Sequence, residues 1–294
     1  MTTSPSQRAG VFYGLAAFCF WGLVPVYFKA VGHVPPFEIL CHRIVWSVAV
    51  TALLISIGRD WRGLRAALAS GKVLPVLFLS AALAATNWFV FIYAITTNRV
   101  LQTSLGYFIN PLVNVLLGMI FLKERLRPLQ GVSVLLAAAG TLNLAFSYGE
   151  FPWIALTLAF SFGLYGLLRK TVRIESVNGL FVETTLISPL ALAYLVFIGA
   201  RGGGAFGSVD GWTTLLLVLA GMVTSFPLVW FTCAARRLPY TTIGFLQYLA
   251  PSLQFLLAVL VYHEPFTMTH LVTFALIWSG LVVFVGDSLL RIKR

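Results

Sequence analysis

The stretch Leu105-Gly-Tyr-Phe-Ile-Asn-Pro-Leu-Val-Asn-Val-Leu-Leu117 returns 140 positions later as Phe245-Leu-Gln-Tyr-Leu-Ala-Pro-Ser-Leu-Gln-Phe-Leu-Leu257. At the same offset Pro111 falls on Pro251, Glu124 on Glu264 and Gly140 on Gly280. An offset of 141 aligns the earlier part, Gly22 with Gly163 and Lys29 with Lys170. The chain is therefore two related halves, 1–147 and 148–294. Such duplication in an apolar chain places a site of interest between the halves.

Composition says where those halves live. Of 294 residues, 59% are hydrophobic and only 10% charged, against roughly 25% charged in a soluble domain. That much apolar surface needs lipid, so the lipid bilayer is the first partner. Arg8 precedes an apolar run that ends near Lys29, with no small-residue cleavage site, so the run reads as a first span rather than a removed signal. Segments long enough to cross a core of about 30 Å fall near 11–31, 37–57, 73–95, 101–121, 128–147, 151–169, 178–199, 212–234, 240–262 and 268–289. The expectation is an all-α membrane protein of ten transmembrane helices.

The basic residues orient it. Sixteen of them, from Arg8 through Arg59, Lys123, Lys170 and Arg236 to Arg294, fall at one set of helix ends, and only Arg99 and Arg201 at the other. Lys29 and Arg43 lie within or at the edges of spans. This asymmetry predicts that both termini are cytoplasmic. It also accounts for the net charge of +11, so no nucleic-acid partner is implied. Because each half holds five spans, the second must insert upside down relative to the first. Two inverted five-helix repeats offer two near-equivalent packings, one open to each side, which is the basis of alternating access in carriers.

Candidate site residues follow from polarity at membrane depth. Pro111 and Pro251 sit mid-span, where each removes a backbone hydrogen bond and can serve as a hinge. Tyr107, Asn110 and Asn114 share one helical face, as do Gln247, Pro251 and Gln254. Trp21, Asn87 and Trp88 add aromatic and amide groups. Such a lining suits a small amphipathic or zwitterionic organic solute, and kinking or helix–helix hydrogen bonding is the plainer use of the same residues. His42, Arg43 and Glu183 are the ionisable groups in or near spans. They read as candidates for proton coupling or buried ion pairing, and Glu38 can pair with His42 or Lys29. Glu124 and Glu264 read as helix-end pairs with a neighbouring basic residue. Gly10, Gly14 and the run Ala137–Gly140 permit close helix approach. Oligomerisation is not implied. The three cysteines read as buried small hydrophobes. No metal-ligand spacing and no phosphate-cradling motif appear, so no metal and no cofactor is expected.

The blocks Phe20–Lys29, Glu38–Ser47, Leu105–Arg125 and Leu158–Lys170, taken as whole ordered stretches, resemble the EamA family of the drug/metabolite transporter superfamily over essentially the full chain. The resemblance implies two inverted EamA units in a bacterial inner membrane and export of small organic solutes. It carries over no defined binding residue. Ala250 in place of Asn110, and Ser252 in place of Leu112, mean that the halves are not interchangeable in detail. The expected function is a secondary carrier. A passive uniporter, or a non-transporting receptor or assembly factor, are the alternatives. An enzyme is not expected, since no nucleophile, base and metal set converges.

Overall fold

The structure is a computed structural model describing residues 5–69, 71–96, 100–147, 151–261 and 267–292. Arg99, Glu264 and Arg294, named in the sequence analysis, lie outside these. Every regular element among the described residues is a helix, with no strand. The long helices are α1 (Pro5–Ala30), α2 (Pro36–Gly58), α4 (Val73–Thr96), α5 (Val100–Phe121), α6 (Pro128–Ser147), α7 (Trp153–Thr171), α8 (Ser176–Ala200), α9 (Gly211–Arg237) and α12 (Met268–Ile292). Among the described residues, seven helices are long and apolar enough to cross a membrane: α1, α2, α4, α6, α8, α9 and α12.

Two departures from the expected pattern have physical causes. Residues 61–69, which lie between the expected spans 37–57 and 73–95, form a short helix α3 (Trp61–Ala69). Leu64 is its buried anchor and the arginines point away, an amphipathic pattern too short to stand out beside the spans. The segment 240–262 is not one rod with a proline at its middle. It is α10 (Tyr240–Gln247) followed by α11 (Leu249–Leu260). Pro251 has no N–H to offer the Gln247 carbonyl four residues back, and the helical ladder is interrupted at Tyr248, whose backbone stays right-handed (φ −61°, ψ −16°). Pro111 also lies mid-helix, yet α5 stays continuous.

The packing repeats with the sequence offset. A Cβ on Gly140 of α6 would lie 2.8 Å from the Thr273 carbonyl of α12, and one on Gly280 of α12 would lie 2.8 Å from the Ser133 carbonyl of α6. Both members of the second pair stand 140 positions from those of the first. Gly22 of α1 meets Leu253 of α11 as Gly163 of α7 meets Val113 of α5. Small residues bring backbones together where no hydrophobic drive separates helix from lipid. Gly10 and Gly14 serve contacts within the chain, against Arg237, Leu238 and Leu246.

Two ends of the bundle can be told apart. At the basic end, Glu124 beyond α5 accepts the N–H groups of Tyr240 (2.6 Å) and Thr241 (2.9 Å), capping α10 across the bundle. A carboxylate there meets the positive end of the helix dipole, so its partner is a helix start rather than the expected neighbouring base. Lys170 Nζ donates to the Ala235 carbonyl at 2.7 Å and to that of Leu238, closing the C-terminus of α9. At the far end, the α1–α2 and α8–α9 connections join. His33 Nε2 lies 2.9 Å from Thr213 Oγ1, and Glu38 Oε1 accepts the Ala205 N–H at 2.6 Å.

Candidate functional site

A cavity of about 140 Å³ lies between the two halves, about ten times the space one ordered water requires (~10–15 Å³). Its walls are aromatic, from Phe18, Trp21, Phe28, Trp88, Phe91 and Phe162. Its polar groups are Arg43, Asn87, Tyr107, Asn110, Thr224, Gln247 and Gln254. Thus Trp21, Asn87, Trp88, Tyr107, Asn110, Gln247, Pro251, Gln254 and Arg43, singled out from the sequence, share one cavity. Other lining residues, Phe18, Phe28, Phe91, Phe162 and Thr224 among them, were missed. Nothing separates a cavity-facing phenylalanine from a lipid-facing one in sequence, and a threonine in a helix usually bonds its own backbone.

Asn114 does not line the cavity. It is fully buried, and its Nδ2 donates to Gln247 Oε1 at 2.6 Å. Asn114 lies seven residues before the end of α5, and Gln247 is seven residues into α10 from its start. Both are therefore about 10 Å from the basic end. Gly244 lets the helices touch here, since a Cβ would fall 2.6 Å from the Pro111 carbonyl. The repeat equivalents of Asn114 and Gln247 are Gln254 and Tyr107, and these do not pair. Gln254 Nε2 donates instead to the Trp21 carbonyl at 3.0 Å, and Tyr107 is 39% exposed. The break after Gln247 explains the difference, because α10 packs on α5 whereas α11 departs from α5 and packs on α1. At the break, the Tyr248 hydroxyl donates to the carbonyl of Phe108, its own repeat equivalent, at 3.4 Å.

Arg43 reaches the cavity from α2. Its Nε donates to Thr224 Oγ1 at 2.9 Å, and its guanidinium carbon stands 5.5 Å from the Phe28 ring centre and 6.0 Å from that of Trp88. Asn87 is a brace as well as a lining group, with Nδ2 donating to the Leu158 carbonyl (2.9 Å) and Ser161 Oγ (3.0 Å). Asn110 Oδ1 is buried and accepts no hydrogen bond among the described residues.

The other two ionisable candidates lie elsewhere. His42 and Glu38 line a separate pocket at the far end, 3.9 Å apart, with the His42 ring stacked on Phe206 at 5.1 Å. Glu38 engages His42 and the Ala205 N–H. Glu183 is buried in a smaller pocket that shares Asn87, Trp88, Phe162 and Leu228 with the main cavity. Its Oε1 lies 3.6 Å from Arg169 Nε and accepts from Ser80 Oγ, and its Oε2 accepts from Tyr165 Oη at 3.3 Å. Arg169, read from sequence as an interfacial charge, is fully buried. Its place beside Lys170 at a helix end hid that role. No three metal-ligating side chains converge among the described residues.

Comparison with known proteins agrees with this architecture. The family model described as "EamA-like transporter family" matches residues 8–146 and again 152–286. A Vibrio cholerae protein named "Uncharacterized transporter" is 46% identical over 98% of this chain and 97% of its own. "Protein RarD" of Salmonella typhi is 46% identical over 96% of each. "Chloramphenicol-sensitive protein RarD" of Pseudomonas aeruginosa is 33% identical over 97% of this chain and 96% of its own. A crystal structure superposes with a TM-score of 0.72 at 22% identity, covering 94% of this chain and 96% of that one, a likeness of fold alone.

Proposed function

The chain belongs to the EamA-like transporter family, and we propose that this membrane transporter is a secondary carrier exporting small amphipathic or zwitterionic organic solutes by alternating access. Its setting in this reading is a bacterial inner membrane, crossed ten times by two inverted five-helix units, 1–147 and 148–294. Both termini are cytoplasmic, following the basic residues. The α10–α11 pair then acts as one interrupted span, a form found where a membrane helix borders a cavity. Trp21, Asn87, Trp88, Tyr107, Asn110, Gln247 and Gln254 contact the solute. Asn114 acts as a gate partner of Gln247, and Pro111 and Pro251 are the hinges.

One observation carries the reading: Asn114 and Gln247 are hydrogen-bonded, whereas their repeat equivalents Gln254 and Tyr107 stand apart at the cavity. A chain of two like halves with one pair closed and its counterpart open has a mirror state of comparable energy available, in which the pairs exchange roles. With the basic end cytoplasmic, the cavity here faces outward. Counterflow in proteoliposomes preloaded with a panel of amphipathic solutes tests the proposal without an imposed ion gradient. Accumulation of trace label is the expected result. Binding without flux would instead favour a receptor.

A further inference from the structure

We propose that Arg43 is the anion anchor of the cavity and that the transported solute carries a carboxylate on an apolar body. The inference rests on the carrier reading above and narrows its substrate class. Arg43 is the one charged side chain lining the cavity among the described residues, and no carboxylate there lies within ion-pairing distance of it. Two other arginines in the bundle have carboxylate partners, Arg169 in Glu183 at 3.6 Å and Arg127 in Asp287 at 2.8 Å. A permanent charge held at membrane depth without a counter-ion is costly and marks a ligand path.

The geometry indicates what the counter-ion is. Thr224 engages only Nε, leaving the guanidinium's other N–H groups, a fork that suits two carboxylate oxygens. Phe28 and Trp88 flank the cation and hold its plane, as the more weakly hydrated guanidinium allows. The aromatic walls would gain nothing from a small inorganic anion, and one fixed positive charge repels a cationic solute. Asn110 Oδ1, a buried acceptor with no partner among the described residues, asks for an N–H or O–H donor on the same molecule.

The test uses the full-length protein in proteoliposomes, with binding followed in parallel by tryptophan fluorescence in detergent. The probes are 3-phenylpropionate, indole-3-acetate and hexanoate, their α-amino acids, and the primary amide of each. Acids are expected to bind and exchange roughly 10- to 100-fold better than their amides, the value of a charge-assisted hydrogen-bond set. Arg43→Gln should abolish that preference and Arg43→Lys should keep part of it. Equal handling of acid and amide, or a preference that survives Arg43→Gln, overturns the proposal and leaves the carrier intact. Exchange of no probe by folded, inserted protein removes the carrier reading and this one with it. If Arg43→Gln does not fold, the acid–amide comparison on the unaltered protein decides alone.

Discussion

Arg169 and Glu183 form an ion pair at 3.6 Å, with neither side chain more than 3% exposed. Arg169 Nη2 also donates to the Ser176 carbonyl at 2.9 Å, tying the end of α7 to the start of α8. Removing one partner strands a buried charge, at a cost of about 3–5 kcal/mol, whereas replacing both by apolar residues is near neutral. Glu183→Gln and Arg169→Met should therefore melt well below the unaltered protein, and the double variant Arg169→Met/Glu183→Leu should recover most of the loss. Thermal unfolding followed by size-exclusion chromatography measures this. A Glu183→Gln protein that transports with unchanged pH dependence would also remove Glu183 from any proton-coupling role.

The α6–α12 contact predicts a paired sensitivity. Gly140→Ala and Gly280→Ala each drive a methyl group toward a backbone carbonyl 2.8 Å away. Each should cost about 1–3 kcal/mol through overpacking. Gly131→Ala, on the same α6 with no neighbour within 4 Å, should be neutral or stabilise by up to about 1 kcal/mol. Equal melting temperatures for all three would contradict the packing described.

Pro251→Ala restores an N–H to the Gln247 carbonyl and should let α10 and α11 run as one helix. The straightened rod brings α11 toward α5 and narrows the cavity. The variant should be more thermostable and exchange solute several-fold more slowly, read from melting and counterflow on one preparation. Faster exchange would argue against the break as a determinant of the cavity.

The gate pair can be tested chemically. With Cys19, Cys41 and Cys233 replaced, cysteines at 114 and 247 should be joined efficiently by a short thiol cross-linker, and cysteines at 107 and 254 poorly. Linking 114 to 247 should lock the basic end and stop exchange. Linking of both pairs at once in the same molecule would show that the two ends close together, contrary to alternating access.

Asp210 caps α9 by accepting the Thr213 N–H at 2.6 Å and the Thr213 hydroxyl at 3.0 Å. These bonds hold its carboxyl below the usual value of 3.8. A depressed carboxyl stabilises the fold above its unfolded value, and that contribution is lost as pH falls through the lower folded value. The melting temperature of the unaltered protein should thus fall, as pH drops below about 4, more steeply than that of Asp210→Ala. Parallel curves would mean the cap contributes nothing.

The sequence by itself determined the membrane setting, the duplication and most of the polar groups of the cavity lining. Apolar runs of set length, a fixed offset of 140 and polar residues on helical faces are properties of local chain order. Pro111 and Pro251 show where that reading stops. Both prolines are visible in sequence, but only Pro251 accompanies a helix break, anchored by Tyr248 reaching the Phe108 carbonyl across the bundle. Likewise Asn114, Tyr107, Gln247 and Gln254 look equivalent as two faces, and only the packing of α10 on α5 and α11 on α1 pairs one set and parts the other. Arg43 and Arg169 are both arginines near helix ends, yet one borders a cavity without a carboxylate and the other is buried against Glu183. Which neighbour a charge meets is decided by residues more than a hundred positions apart for Arg43 and Thr224, and by the crossing of helices that no local pattern encodes.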